Sequence, residues 1–581
     1  MTDSAFSTTA GVGSSSPSAQ GAVPSPVRRL WQLVLPERKD LTTVVLFALF
    51  SGVLYLASPL AVDILVSSLA FGASEGVYVQ ALVILSLGLF GFLCLLGLVR
   101  AAQYYVTELI QQRLFVRLTA DFVYRLPRVQ MQALDAKLGP DLVNRFFDLI
   151  TVQKAAALLL LDGLNLVLGS LIGLLILGFY HPFLLLFDVL LVGSILVVMF
   201  GFGVDGVRSS IAESYAKHAV VSWLEQVAMF PYLFKSDGAS RLAARRANEL
   251  ADDYLDARRS HYRVVFRQFS GLLALQAIAS AALLGVGGFL VLEGELTLGQ
   301  LVAAELIVSA IVANLASLGK HAESYYDALA AIDKIGFVVD LPVEREGGDT
   351  PTSGAGQPAG AEVEVDSLVF GYDPSRPVLH GVSLHVEPGE RLALLGIAGQ
   401  GTSTLMDILM GLHTPQEGVV RVDGVDIRNW DLMGLRRQAA LVRGRDLVAA
   451  SVFENVRFGR EHLTRSEVEE ALKGVGLLDA ILRLPQGLDS RLMVGGRPLS
   501  SSQRSRLIVA RAIVGNPRLL LLDDVFENLE PRTMTDLADY VFDPAHQWTL
   551  LVASRDPEVL ARCGRTVDMA SFRPVPTGWT A

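Results

Sequence analysis

The segment Gly396-Ile-Ala-Gly-Gln-Gly-Thr-Ser-Thr404 carries the glycine spacing of a loop that wraps phosphate groups. In the pattern GxxGxGK[ST] the glycines let backbone N–H groups face the phosphates, the lysine reaches the β- and γ-phosphates, and the hydroxyl after it holds Mg²⁺. Gly396, Gly399 and Gly401 retain the backbone part of that chemistry, and Ser403, followed by Thr404, retains the hydroxyl. Thr402 stands where the lysine belongs, so the loop keeps its cradle and loses its charge-assisted bond.

Such a loop works between a strand and the helix that it opens. Arg391–Leu395 reads as a short apolar strand, and Ser403–Leu412 as the helix after the turn. Upstream, Val363–Phe370 alternates with the period of a strand. Before it, residues 346–361, EGGDTPTSGAGQPAGA, hold glycine, proline, serine and threonine and almost nothing apolar, which marks a flexible linker between domains.

N-terminal to that linker the chain changes character. Of its 581 residues 51% are hydrophobic, too many for an ordinary soluble protein, so an integral membrane protein of several domains is expected. A formal charge of −10, with no basic stripe outside the membrane-flanking loops, argues against a general nucleic-acid binder. Cys94 and Cys563 suggest neither a disulfide framework nor a metal site. Residues 1–27 are rich in Ser, Ala, Gly, Pro and Thr and lack the basic and apolar regions of a signal peptide, so they read as a disordered tail.

Six apolar runs, near 42–69, 78–107, 155–180, 183–204, 270–292 and 299–318, are long enough to cross a bilayer. The turns Ala70–Val77, Tyr180–Phe183 and Glu293–Leu298 contain no Lys or Arg. The other side is rich in them, from Arg28, Arg29, Arg38 and Lys39 through Arg113–Lys154 to Arg208–Arg267. The positive-inside bias therefore places both termini in the cytoplasm; a bacterial inner or plasma membrane is the expected location. The two inner connections, roughly 50 and 65 residues, are too long for idle linkers. Their apolar residues, Leu109, Leu114, Leu118 and Phe122 in the first and Leu242, Ala243, Ala247, Leu250 and Leu255 in the second, recur with helical spacing, so they read as cytoplasmic extensions of the membrane helices.

Read together, the motifs resemble an ABC exporter half-transporter. The resemblance covers residues 28 to 570 and rests on Phe370-Gly-Tyr372, Val378–Ser383, Gly389-Glu390, Gly418–Gly424, Asp431, Leu435-Arg436, Leu499-Ser-Ser-Ser-Gln503, Leu519–Asp524 and Val552-Ala-Ser-Arg555, in the family's order. Gly294–Leu301 is similar to the turn into the sixth span of such exporters. It implies an all-α six-helix transmembrane domain over 28–345 and an α/β P-loop ATPase domain over 362–575. It implies further that Tyr372 stacks on adenine, that Ser403 and Asp523 hold Mg²⁺ beside ATP, and that segments near Gly139–Ile150 and Ala212–Trp223 press on the nucleotide domains.

The departures from the family pattern bear on mechanism. Besides Thr402, the loop that supplies a glutamine reads Leu441-Val-Arg-Gly-Arg445, with Arg443 or Gly444 at that place. Ser501 and Ser502 replace the glycines of the signature, between Leu499-Ser500 and Gln503. Asp524 replaces the water-polarising glutamate, one methylene short, and Ser554 takes the switch histidine's place. Losing one transition-state donor costs on the order of 10²–10³ in rate. Turnover near background is the expectation, with weak binding of ATP and Mg²⁺.

Such domains act as head-to-tail pairs, so the resemblance implies a second ABC half-transporter as partner. An asymmetric heterodimer whose other chain supplies lysine, glutamate and histidine heads the readings, with a homodimer as the alternative; membrane lipids and a periplasmic adaptor complete the partners considered. The function expected is a subunit of an exporter for an amphipathic, lipid or peptide-like substrate. An ATP-independent membrane scaffold or regulator and a slow homodimeric ATPase are the competing classes. Within the spans, Asp188, Glu305 and Asn314 are the candidates for substrate contact, whereas Asp63 and Asp162 read as helix-to-helix bonding.

Overall fold

A computed structural model describes residues 25–70, 75–134, 139–350, 359–373, 375–396, 399–444, 446–527 and 529–572. The tail expected over 1–27 lies outside them up to residue 24, as do residues 351–358 of the linker and the side chain of Asn314. The chain forms two compact units, one of Met1–Pro127 and Lys137–Leu341, the other of Arg128–Ala136 and Pro342–Ala581.

Unit one is helical among its described residues. Ser25 caps α1 (Pro26–Val34) by accepting from the Arg28 amide at 3.4 Å, with proline at the position where no N–H is needed. The next span is broken into α2 (Arg38–Tyr55) and α3 (Ala57–Ala70). Pro59 explains the break, because it has no N–H for the Tyr55 carbonyl and its ring collides with that turn. α4 (Glu75–Arg125) runs through 51 residues without interruption. α5 (Asp148–Leu158) leads through a π-helical turn, Leu159–Gly163, into α6 (Leu164–Tyr180), and α7 (Pro182–Leu196) returns. α8 (Gly206–Met229), α9 (Ala239–Leu292) and α10 (Leu298–Val339) complete the unit. α10 opens with a full capping box, Thr297 with Gln300.

α4 and α9 each run on well past the bilayer thickness; α9 is 54 residues long. Five described helical stretches are long and apolar enough to cross a membrane, and Leu298–Ile311 forms a shorter apolar stretch in α10. This is a multi-pass integral membrane protein. Leu114, Leu118 and Phe122 of the first pattern are buried, but Leu242 and Leu255 of the second are exposed in the single chain. Phe146 packs edge-on between Phe115 and Phe122, and Trp223 donates to the Ala243 carbonyl at 3.1 Å, so both are tied into unit one by ordinary packing.

Unit two has two sheets. The antiparallel one has strand order β2-β1-β4-β5, from β1 (Val363–Phe370), β2 (Leu379–Val386), β4 (Glu417–Val422) and β5 (Val425–Asp426). The parallel one has order β6-β7-β8-β3-β9, from β3 (Arg391–Leu395), β6 (Ala439–Val442), β7 (Leu519–Asp523), β8 (Thr549–Ala553) and β9 (Arg565–Asp568). Its inner strands β7 and β8 are buried at every residue, as expected where both faces are covered. Residues 128–136 belong here by pairing. Val129 bridges Val343, and the Gln130 amide donates to the Pro342 carbonyl at 2.9 Å.

Register decides what the parallel sheet presents. Val442 aligns with Leu522, Asp523 with Ala553, and Leu394 with Ala553. Arg443, Asp523, Ser554 and Gly396 therefore all leave the sheet at its carboxyl edge. In open α/β sheets that edge is where ligands sit.

Candidate functional site

The loop after β3 rises from Gly396, whose carbonyl accepts from Arg555 Nε at 3.1 Å. It re-enters at Gly399 and Gly401, with φ of +86° and +89°, and opens α11 (Thr402–Leu409). Glycine is the residue that adopts that backbone without strain; Ile397 and Ala398 of the loop lie outside the described residues. A Cβ on Gly401 would also meet Leu379 Cδ2 at 2.5 Å. Gly401→Ala is expected to lower the unfolding free energy by about 1–3 kcal/mol. Thermal unfolding of the purified protein reads this, and an unshifted midpoint would remove the claim.

The side chain that fills the edge is Arg443. It follows β6 and reaches across the end of β7 and the first two turns of α11: Nε donates to Asp523 Oδ2 at 2.6 Å, Nη1 to Asp407 Oδ1 at 2.7 Å, and Nη2 to the Ser403 carbonyl at 2.8 Å. The two acidic side chains are almost fully enclosed, at 9% exposure for Asp407 and 4% for Asp523, while the Arg443 side chain is 37% exposed. Burial pushes the Asp407 carboxyl above its ordinary value even with the Arg443 charge beside it. Asp523 Oδ1 is buried and accepts no hydrogen bond among the described residues.

Residues 379–527 match the model of the ABC transporter family. Over those residues the chain carries an ABC transporter domain. The whole chain shares the fold of a bacterial Atm1-family ABC exporter solved with ATP bound, at a TM-score of 0.75 and 23% identity, over 91% of this chain and 93% of that one. An ATM1-type heavy metal exporter of Novosphingobium aromaticivorans is 32% identical over 45% of this chain and 43% of its own length. An ATP-dependent lipid A-core flippase of Saccharophagus degradans is 27% identical over 60% of this chain and 58% of its own. The matched stretch thus spans less than two thirds of these relatives.

The other expected positions in the ABC domain fall as follows. Tyr372 is 53% exposed, edge-on to His413 and Phe370, with its hydroxyl 3.3 Å from Thr404 Oγ1. Asp524 sits at φ 55° at the end of β7, and partial burial beside Glu527 and Asp523 raises its carboxyl pKa. Ser554 is buried, its Oγ accepting from the Asp556 amide at 3.1 Å. In the signature, Leu499 is buried and Ser500 caps the helix Ser501–Ile513, receiving the Gln503 amide at 3.2 Å while Gln503 Oε1 accepts from the Ser500 amide at 2.8 Å. That capping box gives Ser500 and Gln503 a structural use; the S-x-x-Q spacing was its signal. Ser501 and Ser502 follow in the first turn, half-buried.

The donor set does not fit Mg²⁺. One oxygen of Asp523 and the carbonyl of Ser403 are bonded to a permanent cation, and a divalent ion would have to sit beside it. The pairing of Ser403 and Asp523 expected from the resemblance thus meets Arg443 in the same space. Only the choice between Arg443 and Gly444 was open in the sequence; Gly444 is a turn residue at φ 67°.

In unit one the candidates for substrate contact scatter. Asp188 is 5% exposed with neither carboxylate oxygen hydrogen-bonded among the described residues, and Glu305 accepts from its own helix, from Ser309 Oγ at 3.2 Å. Neither lines the open cavity of about 740 Å³ whose walls include residues of α2, α3, α4, α6 and α10. Arg100, Gln103, Asp162, Asn165, Lys320 and His321 do. The π-helical turn brings Asp162 there, and Asn165 donates to Gln103 Oε1 at 3.0 Å. Asp63 is bonded by Ser67 and Tyr180, at 3.2 and 3.4 Å.

Proposed function

We propose that this chain is a transport subunit of an ABC-type exporter whose own nucleotide site binds weakly and turns over near background, and that it pairs with a second, competent ABC chain. The observation that carries this reading is the Arg443–Asp523 pair. A carboxylate bonded at 2.6 Å to a guanidinium of its own chain is withdrawn from hydrolytic chemistry. Thr402, Asp524 and Ser554 support it, because each lacks the charge or reach of the group that hydrolysis uses at that place. The loop amides and Tyr372 are the groups left to hold a nucleotide.

The cavity supports an amphipathic, lipid- or peptide-like cargo. Leu56, Leu166 and Ile307 give it apolar wall, and Arg100, Lys320 and His321 give it positive charge or hydrogen-bond capacity. Among relatives, a heavy metal exporter and a lipid A-core flippase carry different cargoes, so the names alone do not choose. With both termini cytoplasmic, Gly139–Ile150 and Ala212–Trp223 are the segments that would transmit motion to the nucleotide domains.

The test is the subunit composition of the tagged chain, extracted gently from its native membrane, by intact-complex mass and peptide identification. A one-to-one complex with an ABC chain carrying the loop lysine and the glutamate is the expected result. A pure homodimer would overturn the pairing. That second reading draws support from Ser501 and Ser502, which put side chains where a partner's nucleotide would approach the helix N-terminus.

A further inference from the structure

The guanidinium of Arg443, bonded at once to Asp523, Asp407 and the Ser403 carbonyl at the mouth of the phosphate loop, is where we propose the resident cation of this site lies, so that the site takes a nucleoside polyphosphate free of divalent metal. The inference rests on the nucleotide-binding part of the reading above and deepens it.

Occupancy of the metal's place leads to it. A phosphate loop without its lysine still has to compensate polyphosphate, and the usual means is a metal ion on the strand-end carboxylate and the loop hydroxyl. Here the two enclosed carboxylates, Asp407 and Asp523, have one permanent cation between them. Arginine is never neutral at ordinary pH, so it cannot step aside by losing a proton as a lysine or histidine can. Three of its five N–H groups are committed to the protein and more than a third of the side chain is exposed at 37%, which leaves donors for a phosphate arriving over α11. Planarity matters as well. The three acceptors come from the end of β7 and from α11, and a fork that satisfies them all is held in one orientation, pre-organised before ligand arrives. At the start of the loop Arg555 donates to the Gly396 carbonyl at 3.1 Å, so a second arginine stands beside a motif whose spacing calls for one lysine.

Glutamine at 443 would have neither charge nor fork. It would return one oxygen to the edge and release Asp523, which is the arrangement a divalent ion needs. Metal dependence of nucleotide binding should therefore be set by this one residue.

Equilibrium titration of the full-length protein in nanodiscs with N-methylanthraniloyl-ATP, in excess Mg²⁺ and in EDTA, tests it. Wild type is expected to bind with the same Kd in both, within about twofold. Arg443→Gln is expected to bind about tenfold or more weakly in EDTA and to recover with Mg²⁺. Arg443→Lys keeps the charge without the fork and is expected to stay metal-independent at lower affinity. Wild-type binding that requires Mg²⁺ overturns the inference and leaves nucleotide binding standing. No wild-type binding in either condition overturns the nucleotide reading itself and takes the inference with it. The wild-type comparison needs no variant, so it decides even where Arg443→Gln fails to fold.

Discussion

Rebuilding the motor residues in one chain, Thr402→Lys, Arg443→Gln and Asp524→Glu with Ser501→Gly and Ser502→Gly, is expected to raise phosphate release on the order of 10²–10³-fold over wild type. No single one of these changes is expected to do so. Residues that act as a unit fail together, and restoring one while Arg443 still holds Asp523 leaves the carboxylate committed. Steric room supports the plan at 402, which opens α11 and is not fully buried. It does not at 554, where the serine is 3% exposed and a histidine would overpack the site, so that change is left out. Phosphate release by the detergent-purified protein is the readout, with Asp523→Ala as control. A wild-type rate that the rebuilt chain does not exceed, and that Asp523→Ala abolishes, would mean that the native residues already form a working site.

Arg443→Ala is expected to destabilise unit two by about 3–5 kcal/mol, the cost of leaving buried charge without its partner. Asp407 and Asp523 would then face each other enclosed and uncompensated. The loss also has a pH signature. Burial raises the Asp407 carboxyl above its ordinary 3.8, with Asp523 adding to the rise and Arg443 opposing it. A carboxyl with a raised folded pKa binds its proton more tightly in the folded chain than in the unfolded one. The stability it contributes is whole below 3.8 and is lost as pH rises through the folded value. Removing Arg443 deletes the opposing charge, so the rise grows and the loss deepens toward high pH. Thermal unfolding should show the variant further below wild type at about pH 8 than at about pH 5.5. A deficit that shrinks as pH rises would contradict the account. Arg443→Lys, keeping the charge, should fall between the two.

Local pattern carried much of the architecture. The strands expected at Val363–Phe370 and Arg391–Leu395 have those bounds, because alternation and a short apolar run flanked by turn residues are properties of a few adjacent residues. The helix after the phosphate loop starts at Thr402, one residue before the expected Ser403, and ends at Leu409 rather than Leu412, since Gly411 at φ +64° cannot continue it. The long helices through the two long connections were legible from helical spacing without breakers. Arg100, Lys320 and His321 went unnoticed as cavity residues, because hydropathy weighs the length of a span and says nothing about which side chains converge.

By itself the sequence determined that the protein has membrane-spanning helices, a strand–loop–helix with phosphate-loop glycines, and no lysine in that loop. Periodicity, glycine spacing and residue identity are local quantities, and each can be read along the chain. Which residue of Leu441–Arg445 enters the site was decided by tertiary structure alone. Strand order β6-β7-β8-β3 sets Arg443 beside Asp523, 80 positions away in the chain, and the second turn of α11 brings Asp407 to meet it. A guanidinium finds its carboxylates through space, and no spacing in the chain encodes that distance.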